Sequence, residues 1–150
     1  VGAIINSHVW SGIICDGFHV DDRMIKLALR ARPDDDLMFL VSDAMATVGG
    51  PALFDLYGQN IHLENGRLIN AEGRLAGAHV TQAEGVARLV HEIDVSLAQA
   101  LRMAITVPAL VVGQANLAQV IGRLVRDVLV LSDDLKVDGT LGQTLSQLTN

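Results

Sequence analysis

Leu37–Gly50, LMFLVSDAMATVGG, restricts the possible folds more than any other stretch. Leu37 to Val41 is an unbroken apolar run, the pattern of a parallel strand covered on both faces, whereas a strand with one wet face alternates. The run stops at Ser42 and Asp43 and passes into small residues and the Gly49-Gly50 pair. An α/β barrel keeps its catalytic groups at the C-terminal ends of such strands. Asp43 is therefore a candidate catalytic carboxylate. The plainer alternative makes it a cap for the loop or for a following helical turn.

Half of the 150 residues are hydrophobic and 19% are charged. That is enough apolar material for a packed core and too little charge for a disordered chain. Aromatics make up 3%, which argues against the stacking platforms that bind single-stranded nucleic acid. A net charge of −6 disfavours binding to a phosphate backbone, while a small anion needs only one or two local donors. The single cysteine, Cys15, has no partner for an internal disulfide, which fits a reduced, cytoplasmic setting. No stretch approaches the length of a membrane span. A small molecule is thus the expected partner, with no nucleic acid and no membrane. The chain starts at Val1-Gly2 and not at Met, as expected of a fragment or a processed chain.

A second apolar run, Ser11–Asp16, ends in Asp16-Gly17, followed by Phe18 and His19, so that this strand too ends in polar groups. Between the two runs, Asp21 and Asp22 precede a stretch with apolar and basic residues at helical spacing. Arg30 and Arg32 lie at its far end, as the helix dipole favours. Ser11–Val41 reads as β–α–β with both strands ending on one side of a sheet. After Pro51 come Phe54–Tyr57, Gln59–Leu63 and Arg67–Ile69, with Asn65-Gly66 as a hairpin signal. Thr81–Glu92 reads as a helix with Val86, Leu89, Val90 and Ile93 on its apolar face. Ser96 opens another, Leu97–Val107, which Pro108 is expected to halt. Leu124–Ser132 and Lys136–Leu141 read as strands, and Gln143–Asn150 as a fraying tail. The N-terminal ten residues read as a helix end and a connection.

The five histidines (His8, His19, His62, His79 and His91) show no metal-ligand spacing. His62 reads as a solvent-facing strand residue, and His79 follows a Gly-containing loop. No GxGxxG, P-loop or nucleophile elbow is present. His19 and Asp43 hold equivalent places at the ends of two adjacent strands, where an imidazole and a carboxylate could face one ligand.

Four stretches, in order, carry a family resemblance: Gly12–Asp21 (GIICDGFHVD), Leu40–Ala44 (LVSDA), Asn65-Gly66 through Leu75–His79 (LAGAH), and Leu101–Ala104 with Pro108-Ala109. With them the chain resembles the C-terminal half of the N-acetylglucosamine-6-phosphate deacetylases, of the amidohydrolase superfamily. The resemblance implies an α/β fold, a partial (β/α)8 TIM-type barrel (its last strands and helices) with part of a small β-sandwich domain. Residues 1–50 and 74–113 would belong to the barrel, 51–73 to a β-hairpin insertion and 114–150 to the small β domain and tail. It also implies hydrolysis of an acetamide, with Asp43 as proton donor and acceptor. Asp16, Gly17, Phe18 and His19 would form a substrate segment, with His19 donating to the sugar phosphate, and Leu75, Ala76 and Gly77 a loop closing over it. A divalent metal, zinc or iron, is implied, but its ligands lie upstream of Val1, as does most of the phosphate site. A homodimer is implied too. Two further readings stay open: an inactive truncated homologue that binds sugar phosphate or assembles with a partner, and a different amidohydrolase. The segment Ile121–Leu129 is shorter than the family's usual turn.

Overall fold

In the computed structural model, which describes residues 2–149, the two apolar runs pair as parallel strands. β1 (Ser11–Ile14) lies beside β2 (Met38–Val41) in register from Ser11↔Met38 to Ile14↔Val41. A short helix, α1 (Gly2–Ile5), comes before them, and α2 (Asp22–Ala31) makes the crossover. Asp21 caps α2 by accepting the Arg23 N–H at 2.9 Å, which satisfies one of the donors a helix start leaves open. Arg32, buried just past the helix, ties the N-terminal segment down by donating to the carbonyls of Ile4, Val9 and Leu37.

Burial of β2 departs from the expectation of cover on both faces. Met38 and Leu40 are buried, while Phe39 and Val41 are only half-buried. One face packs on helices and the other is covered only in part. On the packed face, Cys15, Met38 and Leu40 meet Ile25 of α2. Val86 and Leu89 of α3 (Gln82–His91) and Ala100 of α4 (Leu97–Leu101) complete the layer. The α3 start is closed by a capping box. Thr81 Oγ1 accepts the Glu84 N–H at 3.2 Å, and Glu84 returns a carboxylate oxygen to the Thr81 N–H at 2.7 Å.

Pro108 does not halt the helix that Ser96 opens. Arg102–Thr106 widen into a π-helical turn, and α5 (Val107–Val111) continues with Pro108 in its first turn. A proline there lacks an N–H and crowds the preceding turn, and a single π turn relieves both conflicts.

Residues 51–73 form a three-stranded antiparallel sheet, β3 (Leu53–Leu56), β4 (Gln59–Glu64) and β5 (Arg67–Ile69). Asn65-Gly66 turns β4 into β5 with φ of 49° and 79°, and Tyr57-Gly58 turns β3 into β4 the same way. Both match the twist of the strands they join. Ile61 and Leu68 are its buried residues, and His62 is half-buried.

The C-terminal part differs from its sequence reading in two places. Strand β6 is confined to Leu129–Leu131, because Val125–Asp127 coil into a 3-10 turn; β7 spans Val137–Thr140. The polar tail forms α6 (Leu141–Leu148), which is held by a second capping box between Thr140 and Gln143. Asn150 lies outside the described residues.

Candidate functional site

Just beyond β1 the chain folds tightly around the Asp16 carboxylate. One oxygen accepts the N–H groups of Phe18 (2.9 Å) and His19 (3.0 Å), and the other lies 2.7 Å from His19 Nδ1. An ionised carboxylate only accepts, so the imidazole carries a proton on Nδ1, and Nε2 is the ring nitrogen turned away from Asp16. Burial raises the Asp16 pKa, but the two backbone donors and the imidazole outweigh it and hold the carboxyl below its usual range. Gly17 has φ 81° with the Arg88 guanidinium beneath it, where an added Cβ would lie 2.6 Å from Arg88 Cζ. Arg88 is anchored in turn by a two-pronged pair with Asp22 at 2.6 and 3.2 Å. Cys15 is 1% exposed, and burial pushes its thiol up to about 11. It stays protonated and serves as a packing residue.

Asp43 stands two residues past the end of β2, as Asp16 does past β1, on the same edge of the sheet. Its φ of 50° places it in the left-handed region, which Asp and Asn tolerate better than most residues. The conformation is held from outside. Ala78 donates its N–H to the Asp43 carbonyl at 3.1 Å, and Met45 donates to the Ala78 carbonyl at 3.1 Å. Gly77 packs so closely here that a Cβ would fall 2.3 Å from Met45 Cγ. Thr47, 3% exposed, places its hydroxyl 2.9 Å from His79 Nδ1.

The Leu75–Gly77 loop is tethered at its other end as well. Ala76 donates its N–H to the Leu68 carbonyl at 3.0 Å, and Leu75 bridges to Ile69 of β5. The β4–β5 turn in turn leans on Phe18, with the Arg67 guanidinium 5.4 Å from the ring centroid. A cavity of about 370 Å³ opens there between Phe18, Asn65 and Arg67. A larger cleft of about 520 Å³, lined by Val86, Leu101, Ile105 and Leu129, contains none of the predicted site residues. Among the described residues no three His, Cys, Asp or Glu side chains are grouped to hold a metal ion, and no helix is long and apolar enough to cross a membrane.

The chain is 30% identical over 145 residues to the N-acetylglucosamine-6-phosphate deacetylase of Haemophilus influenzae. It superposes on the crystal structure of the Pasteurella multocida enzyme of that name with a TM-score of 0.83 and 31% identity over 93% of its length. A relative in Escherichia coli K12, assigned provisionally as an N-acetylgalactosamine-6-phosphate deacetylase, is 30% identical over 75% of this chain and 68% of its own. The chain belongs to the N-acetylglucosamine-6-phosphate deacetylase family. No protein-family model matches it. It spans 38% of the Haemophilus deacetylase and 37% of the Pasteurella chain.

Three residues near the predicted site carry no mark in the local sequence pattern. Arg88 lies 66 residues from its partner Asp22, Thr47 is one small residue in a small-residue loop, and Arg67 is one exposed strand residue. His79, by contrast, is marked in the sequence by the glycine-containing loop it follows.

Proposed function

We propose that the polypeptide carrying this chain hydrolyses the acetamide of N-acetylglucosamine 6-phosphate, giving glucosamine 6-phosphate and acetate. The observation that carries this reading is the placement of Asp43. It lies in a left-handed turn at a strand end, on the same sheet edge as the Asp16–His19 turn, and is bonded through its backbone to the segment following Leu75–Gly77. In this reading the Asp43 carboxylate accepts a proton from the attacking water as the C–O bond forms. It returns that proton to the nitrogen as the C–N bond breaks. Asp16, Gly17, Phe18 and His19 hold the sugar phosphate, with His19 contacting it through Nε2, which donates to the phosphate when the ring carries a proton on both nitrogens and accepts from a sugar hydroxyl when it carries one on Nδ1 alone. Leu75, Ala76 and Gly77 cover it through backbone groups.

The zinc or iron implied by the resemblance finds no ligand set among the described residues, so no step is assigned to it. We read β1, α2 and β2 as the closing part of a (β/α)8 barrel, with residues 1–50 and 74–113 in the barrel, 51–73 inserted, and 114–150 in a small β domain. A cytoplasmic homodimer fits the lone reduced cysteine and the family. The Escherichia coli relative's name favours one second reading, the galactosamine epimer as substrate.

The test is acetate release by the natural full-length polypeptide from each 6-phosphorylated N-acetylhexosamine. Asp43→Asn is expected to lower kcat by about 10²- to 10⁴-fold, the usual share of a general acid–base, with KM little changed. Undiminished turnover removes Asp43 from that role.

A further inference from the structure

The three segments of the candidate site form a closed ring of contacts. The Asp16–His19 turn touches the β4–β5 turn, since a Cβ on Gly66 would lie 3.4 Å from the Phe18 ring, and Arg67 covers that ring. β5 holds the Leu75–Gly77 loop through the Ala76 N–H. That loop meets the Asp43 loop through Ala78, and the Asp43 loop returns along β2 to β1 and the Asp16 turn. These junctions are made by backbone or by ring contact. The one between the Asp43 loop and the segment at Ala78 also carries a side-chain bond, Thr47 Oγ1 to His79 Nδ1, 2.9 Å long, with Thr47 buried.

The geometry points to Thr47 and His79 as positioning residues whose hydrogen bond clasps the Asp43 loop to the Leu75–Gly77 loop. Asp43 sits in an intrinsically disfavoured conformation, which persists only where its surroundings determine it. Two backbone bonds to Ala78 do part of this work, and they are spaced for a single bridge, not a ladder. The side-chain bond adds a third point of attachment beyond the bridge. It restricts rotation of one loop about the other, which two closely spaced bonds do not. Neither residue needs to touch substrate; they act on where the Asp43 carboxylate stands relative to the loop over the sugar. A displacement of about 1 Å between such groups can cost about 10²-fold in rate.

The consequence for turnover rests on the deacetylase reading, whereas the clasp itself does not. The test therefore has two readouts in the full-length protein: amide hydrogen exchange at Met45 and Ala78, and kcat with KM on N-acetylglucosamine 6-phosphate. Thr47→Val keeps the buried volume and removes the hydroxyl; Thr47→Ser restores it. The expected result is exchange about 10-fold faster and kcat about 10-fold lower in Thr47→Val, with KM nearly constant and both values recovered in Thr47→Ser. Unchanged exchange in a folded Thr47→Val overturns the clasp, and so does loss that Thr47→Ser fails to recover. Faster exchange with unchanged kcat in an active protein overturns the positioning role. If the unmodified protein hydrolyses neither hexosamine phosphate, the deacetylase reading falls and the exchange measurement alone decides the clasp.

Discussion

Asp16 is a single carboxylate that satisfies three donors, which ties the shape of the Asp16–His19 turn to its ionised form. Two backbone N–H groups and an imidazole hold its pKa below the usual value despite partial burial. A carboxyl with a depressed folded pKa contributes stability above its unfolded pKa of about 3.9. That contribution is lost as pH falls through the lower folded value. Asp16→Asn retains one acceptor oxygen but no titrating group. Its urea stability is expected to vary less than that of the parent below about pH 4, and parallel acid limbs for the two proteins reject the assignment. Asp16 and His19 were legible as site candidates because they follow an apolar run and match the substrate segment of the family the sequence resembles. Thr47 and His79 lie 32 residues apart, and no local pattern joins a threonine in one loop to a histidine in another.

Among the elements, helices with an apolar face at helical spacing were the most legible, and α3, with Val86, Leu89 and Val90, is the clearest case. Its start is held by the capping box of Thr81 with Glu84. Thr81→Ala removes both the oxygen that accepts the Glu84 N–H and the hydroxyl 2.8 Å from the Glu84 carboxylate. A loss of about 1 kcal/mol, the ordinary cost of an N-cap, is expected by urea denaturation; a change under about 0.3 kcal/mol argues that tertiary packing alone holds the helix start. Pro108 shows the opposite case. Its local preference is to end a helix, yet Met103, Val107 and Ala109 are buried on both sides of it. Continuing the apolar face outweighs the local cost once a π turn makes room. At the C-terminus the capping box at Thr140 has the same form as that at Thr81, but the polar composition of Gln143–Asn150 masked it.

At the scale of the molecule, the chain exposes 9530 Å² at 16.0 kDa, against about 7,400 Å² for a compact monomer of that mass. Much of the excess is apolar: Ile121 is 96% exposed, Val112 64% and Leu129 61%. The parallel pair β1–β2 stands as two strands, although parallel sheets are ordinarily covered on both faces. The 150-residue chain by itself is therefore expected to self-associate and to bind an apolar dye in size-exclusion and fluorescence measurements. A monodisperse monomer with a cooperative melt contradicts that expectation.

From β1 through α3 the sequence by itself determined the order of elements and their kinds, because hydrophobic period and turn residues act over a few residues. It also marked Asp16, His19 and Asp43, since polar residues that interrupt apolar strands are visible in one dimension. Only the tertiary structure decided which loops touch. Asp22 under Arg88, Arg67 over Phe18 and Thr47 against His79 are pairings across 66, 49 and 32 positions. Such contacts arise from how packed elements aim their loops, and a linear pattern holds no record of that direction.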